Sequence, residues 1–191
     1  MAHRHVYHLY RSWRRPRKVP VFTKPAQGHV RGAAVDAGPA RIACLSSLLE
    51  LRFHECATFK RLPSYVRELG VLKELSFSFM ARLKARPDAR GLTALQSLQI
   101  SYRPKIKQLP MGIGELPSLK HLALEWLNEL EEVPGPFTAL ESMYICSCEE
   151  ISQLGTGVGE LGSLKELTLE RCCGLNDNNL PILTALDSSL W

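Results

Sequence analysis

No stretch of the chain approaches the roughly 18 consecutive apolar residues that a membrane-spanning helix needs. The first 20 residues also lack the apolar core of about 7–15 residues that marks a secretory leader. No Asn-x-Ser/Thr acceptor for N-glycosylation occurs, and the six cysteines fall at no spacing typical of a small disulfide scaffold. Together these absences place the chain in a reducing compartment, the cytoplasm with the nucleus as a second possibility. A G-x-x-x-x-G-K-[ST] phosphate loop is missing, so the nucleotide binding and switching that such a loop supports cannot be assigned. Aromatic residues are scarce at 7%, which gives weight to any that fall into register.

The net charge of +5 invites a nucleic-acid reading until it is located. Residues 1–41 hold nine basic side chains (Arg4, Arg11, Arg14, Arg15, Arg17, Lys18, Lys24, Arg31, Arg41) and one acid, Asp36, a formal +8; residues 42–191 therefore carry −3. That first segment mixes Pro, Arg, His, Gly and Ala without period and reads as a disordered basic arm. Nonspecific nucleic-acid binding through counterion release is open to it. For the chain as a whole, nucleic acid is not the expected partner.

From Leu45 onward the chain repeats itself. The unit is LxxLxxLxLxxCxxLxxLP, and the first copy is Leu45, Leu48, Leu51, Phe53, Cys56, Phe59, Leu62, Pro63. Corresponding positions at Leu51, Leu75, Leu98, Leu122, Met143 and Leu167 are 24, 23, 24, 21 and 24 residues apart. A period in this range is that of a leucine-rich repeat. The alternation in Leu122-Ala123-Leu124 turns both leucines inward, as a short strand requires. The following -xxL- steps wind the chain out of the sheet, and Pro opens a convex arm. One unit buries too little to stand alone, and stacked units bury each other's faces. The expected fold is therefore α/β: a leucine-rich-repeat solenoid over 42–191 with about six repeats, a curved parallel sheet on its concave face and short helical or irregular convex segments.

The -LP- ending followed by Gly112-Ile113-Gly114-Glu115-Leu116-Pro117-Ser118-Leu119-Lys120 resembles the repeats of plant intracellular immune receptors that carry a nucleotide-binding domain. So does the ladder position, filled by Cys56, Met80, Arg103, Leu127, Cys148 and Cys172 in place of a steady Asn. The resemblance implies a disease-resistance role, recognition of protein, and docking of the early repeats against a nucleotide-binding module, here supplied by another chain. The last unit, with Cys172-Cys173-Gly174-Leu175-Asn176, also resembles the cysteine-containing repeats of ubiquitin-ligase substrate adaptors. A general intracellular scaffold is a further alternative. The body begins without a polar capping unit and ends abruptly at Leu190-Trp191, which suggests a fragment of a larger product.

Candidate chemistry is thin. Gly155-Thr156-Gly157-Val158-Gly159-Glu160 looks like an anion-cradling loop, yet no Lys follows and it repeats Met111-Gly112-Ile113-Gly114-Glu115, so a convex loop is the expectation. Cys146, Cys148, Cys172 and Cys173 lie on adjacent coils, but C-x-C plus C-C is no usual zinc spacing, and inert thiols are expected. His3, His5 and His8 read as solvated. No nucleophile and base are signalled by any motif, so no enzyme, metal or cofactor is expected.

Binding residues in a solenoid are sought on the concave strands and the loops just after them. One row stands out: Phe79, Tyr102 and Trp126 occupy the place immediately past the strand in three consecutive repeats. Aromatic side chains in line on an edge are ready anchors for a protein partner. With them we group Tyr144, His54 and His121 on the concave strands and Lys84, Lys105 and Lys107 in the loops. The loops are also polarised. Lys60, Arg61, Arg82, Lys84, Arg86, Lys105 and Lys107 line repeats one to three, and Glu129, Glu131, Glu132, Glu149 and Glu150 line repeats four and five. A dipolar edge of this kind steers an acidic partner to one half and a basic one to the other.

Overall fold

The computed structural model describes residues 27–31, 48–55, 64–80, 88–103, 105–154 and 163–175. Seven parallel strands form one sheet: β1 (Gln27–Arg31), β2 (Glu50–His54), β3 (Glu74–Ser78), β4 (Ser97–Ser101), β5 (His121–Glu125), β7 (Ser142–Cys146) and β9 (Glu166–Glu170). They lie side by side in chain order, as a right-handed coil laid down one turn at a time must leave them. The two-residue strands β6 (Glu132–Val133) and β8 (Gln153–Leu154) pair separately on a flank.

The register follows the repeat. Leu51 pairs with Leu75, Leu75 with Leu98, Leu98 with Leu122, Leu122 with Met143, and Met143 with Leu167. Two positions on, Phe53, Phe77, Ile100, Leu124, Ile145 and Leu169 form a second inward row. Inward side chains from Leu48 to Leu164 join in one continuous core, with Phe53 stacked on Phe77 at 5.5 Å. A void of about 10 Å³ lined by Val66, Phe77, Asp88, Leu92 and Leu98 among others sits at the lower limit for a single water.

Each coil enters its strand through a shared carbonyl. The amides of Gln96 and Ser97 both donate to Lys73 O, those of Lys120 and His121 to Gln96 O, and those of Glu141 and Ser142 to Lys120 O. This bond pattern satisfies the amides at the bend, where no helix or strand partner exists. The convex segments are short, as expected: 3₁₀ turns at Ser64–Glu68 and Ile113–Glu115, with isolated turns and irregular chain elsewhere among the described residues. Coils approach closely there. A Cβ on Gly91 would lie 1.8 Å from Arg67 O, and one on Gly114 would lie 2.4 Å from Gly135 O.

Strand β1 falls inside the segment read from sequence as a basic arm. It places Gly28 beside Leu51 and Val30 beside Phe53, so the sheet starts one coil earlier than the leucine pattern indicates. The cause is plain in those pairs: Gly and Val occupy positions where the later coils carry Leu and Phe, and the motif loses its signature. Residues 1–26 and 32–41 lie outside the described residues, as do Lys84, the Gly155–Glu160 loop and the three N-terminal histidines.

Candidate functional site

The three aromatics stand just past β3, β4 and β5, at one equivalent position in each coil. There the backbone is left-handed. Glu55, Phe79, Tyr102, Trp126, Ser147 and Arg171 all have φ between 53° and 56°. Side chains other than Gly and Asn adopt this conformation at a cost of about 1–2 kcal/mol. A hydrogen bond offsets it at each step: the amides of Phe79, Tyr102 and Trp126 donate to Ser101 O, Glu125 O and Cys146 O at 3.3, 3.0 and 2.9 Å. The left-handed turn thus extends the sheet ladder by one bond per coil and aims every side chain of the row the same way.

Because strands lie about 4.8 Å apart, side chains in such a row meet. Phe79 and Tyr102 stack with centroids 4.3 Å apart and ring planes 9° apart, and Tyr102 and Trp126 stack at 5.9 Å and 9°. His54 closes the Phe79 end edge-on at 5.3 Å. The rings stay accessible: 43% of Phe79 and 39% of Trp126 are exposed. Stacking and exposure therefore coexist, since inner rings cover each other's faces and present their edges.

The outward strand positions are less free than the alternation suggests. Glu50, Ser76, Ser101 and Glu125 are buried, because a concave sheet crowds the side chains on its inner curve. A polar chain runs across it: Ser76 Oγ donates to Gln99 Oε1 at 3.5 Å, and Gln99 Nε2 donates to Glu125 Oε1 at 2.8 Å. Burial raises the Glu125 carboxyl above its usual range, the bond from Gln99 opposes this, and the charge of Glu170 adds to it. Tyr144 is half-buried beside them, its hydroxyl donating to Glu170 Oε2 at 3.4 Å. Burial, then Cys146, holds that phenol un-ionised far above its ordinary range. Arg52 pairs with Glu50 and, at 3.9 Å, with Glu74. His121 is exposed at the head of β5, and His54 contacts Glu55 at 3.3 Å.

The charged flank is present where it is described. Lys105 and Lys107 are exposed, as are Glu129, Glu131, Glu132, Glu149 and Glu150. Lys107 reaches Glu131 at 3.7 Å across an open polar hollow of about 250 Å³. The structure therefore brings Phe79, Tyr102, Trp126 and His54 into one ladder, sets Tyr144 and His121 on the adjoining face, and leaves Lys105 and Lys107 on the flank.

Cys148 is buried with its thiol aimed at Cys146 O (3.5 Å) and Leu124 O (3.9 Å), and burial pushes it up to about 12. Cys172 repeats the arrangement toward Glu170 O and Ile145 O, its thiol also raised by burial. These thiols cap carbonyls of the coil. Arg103 fills the same inward position with a charge, and burial draws it down to about 10. Among the described residues no group of three or more His, Cys, Asp or Glu is placed to hold a metal ion, and no helix is long and apolar enough to cross a membrane.

Comparison with known proteins agrees with the fold. No protein-family model matches the chain. Disease resistance protein RPS4 of Arabidopsis thaliana is 29% identical over 124 residues, covering 56% of this chain and 10% of that protein. Disease resistance protein RPS4B of the same organism is 24% identical over 124 residues, covering 56% of this chain and 11% of that protein. The chain thus spans about a tenth of the length of these relatives. Among solved structures, the leucine-rich repeat domain of the type III effector XopL superposes with a TM-score of 0.56 at 21% identity, covering 84% of this chain and 67% of that one, which bears on the fold alone. The chain is a leucine-rich-repeat solenoid whose sequence is related to that of plant disease resistance proteins.

Proposed function

We propose that the chain is a non-catalytic protein-recognition module of the kind that forms the leucine-rich-repeat region of intracellular plant disease resistance proteins, acting in the cytoplasm or nucleus. The observation that carries this is the left-handed aromatic row. Three large rings are held by the backbone in a strained conformation, in line, with two of them about two-fifths exposed. The same turn recurs at Glu55, Ser147 and Arg171, so what sets these three coils apart is the exposed aromatic side chain, the residue type that anchors contacts. The concave strands carrying His121 and Tyr144 extend the surface.

A protein partner meets the row on the concave side, and the basic flank at Lys105 and Lys107 fits the docking of a nucleotide-binding module on another chain. The relation to disease resistance proteins supports both readings.

The test is proximity labelling in plant cells, comparing the full chain with its Phe79→Ala/Tyr102→Ala/Trp126→Ala variant, both checked for fold by circular dichroism. Partners labelled by the first and lost with the second are expected. A folded variant that labels the same set removes the row from recognition.

A further inference from the structure

In a stack of rings only the ends can offer a face. The Phe79 end is closed by His54, edge-on at 5.3 Å. The other end is Trp126. Among the described residues its ring partner is Tyr102 alone, because the next position of the row is Ser147, too small to supply a rung. Arg171, the following member, makes no ring contact with Trp126 among the described residues. Of the whole ladder, Trp126 is thus the ring with a face to give, and an indole face is the best seat for a cation that a side chain provides.

The loop carboxylates past that end share one sign, and the row's own cation, exposed Arg171, stands two coils on. Glu129 lies three residues past Trp126 on the same coil, and Glu149 and Glu150 follow Cys148 on the next; all three are exposed, with no ion pair among the described residues. Glu131, two residues beyond Glu129, is held by Lys107. At the opposite, Phe79–Tyr102 end the loop charge is Lys105 instead. An acidic segment would meet repulsion at Trp126, and a neutral aromatic one would leave the carboxylates without partners.

We propose that the Trp126 end of the row seats an arginine side chain from a basic segment of a partner protein, its guanidinium on the indole face and neighbouring basic residues against Glu129, Glu149 and Glu150. Arginine fits better than lysine because its planar, weakly hydrated group stacks on a ring while still donating to carboxylates. This rests on the recognition reading above and supplies the chemistry of its partner.

The test is titration of the isotope-labelled full chain with acetylated tetra-arginine, following the Trp126 indole N–H by NMR, with tetra-lysine and tetra-glutamate as comparisons. Tetra-arginine is expected to move that resonance and to bind several-fold tighter than tetra-lysine, while tetra-glutamate leaves it in place. Trp126→Ala should weaken binding about fivefold, the worth of an exposed cation–π contact, and Trp126→Tyr should retain most of it. Glu129→Gln/Glu149→Gln/Glu150→Gln should weaken it and flatten its salt dependence.

Affinity unchanged in Trp126→Ala overturns the proposal, as does equal binding of tetra-glutamate. A Trp126 resonance that shifts on removal of residues 1–26, with peptide binding then tightened, assigns the seat to this chain's own basic segment and overturns it too. A partner lost in Phe79→Ala but indifferent to both Trp126→Ala and the triple glutamine variant leaves the recognition reading standing and removes only this one.

Discussion

Tyr102 is the middle rung, and replacing it separates the energetics of the row from its function. Tyr102→Asn removes two ring contacts, at 4.3 and 5.9 Å, each worth about 0.5–1.5 kcal/mol beyond area burial. It also releases most of the ~1–2 kcal/mol held in a left-handed tyrosine, since Asn adopts that conformation readily. The two effects oppose each other, and the net cost should stay within about 1 kcal/mol. Had the row evolved to hold the sheet edge, the loss would be far larger.

Double-mutant cycles by urea unfolding remove the backbone and area contributions. Coupling of about 1 kcal/mol is expected for Phe79 with Tyr102, somewhat less for Tyr102 with Trp126, and none for Phe79 with Trp126, which stand two coils apart. Coupling of the end pair as large as that of the neighbours, or a cost of several kcal/mol for Tyr102→Asn alone, would refute the reasoning.

Other consequences concern the frame that presents the row. Glu141 lies between Lys120 at 2.7 Å and Lys165 at 2.6 Å on the coils either side, and hydrogen bonds from these lysines hold its carboxyl at about 2. A depressed folded-state pKa stabilises above the unfolded value of about 4.5 and is lost as pH falls toward 2. Glu141→Gln should therefore lower the melting temperature at pH 7 and have a much smaller effect at pH 2; an equal deficit at both would contradict the assignment. Gly91→Ala drives a Cβ into Arg67 O and should cost about 1–3 kcal/mol. Gly70→Ala, whose nearest obstacle is 4.0 Å away, should be near neutral, and equal costs in urea melts would disprove the close approach of the coils. With its thiol raised to about 12, Cys148 should resist alkylation at pH 8 while exposed Cys173 reacts, as read by peptide mass spectrometry. Early labelling of Cys148 would show that the ladder position is open.

The leucine spacing alone sets the register: Leu51, Leu75, Leu98, Leu122, Met143 and Leu167 align in the sheet as they align in the repeat. The aromatic row was legible for the same reason, since equal offsets from those leucines become neighbours one strand apart. Its left-handed backbone was not, because the usual signal for positive φ is Gly or Asn, and here Phe, Tyr and Trp stand in that place. Strand β1 was hidden because Gly28 and Val30 carry no leucine signature. The burial of Glu125 and Ser101 depends on curvature, which arises from the stacking of whole coils and leaves no mark in any single repeat. The Lys120–Glu141–Lys165 sandwich lay between these cases: the three residues share one offset from their strands, visible once the register is known.

If the left-handed aromatic row meets the partner, binding must cover its rings. Hydroxyl-radical footprinting of the chain with and without a partner captured by proximity labelling reads this directly, because aromatic and sulfur side chains are the ones oxidised. Protection of Phe79, Tyr102 and Trp126 on binding, with Met111, exposed away from the row, oxidised as before, is the predicted result. Unchanged oxidation of all three rings alongside protection of Met111 would place the contact elsewhere and contradict it.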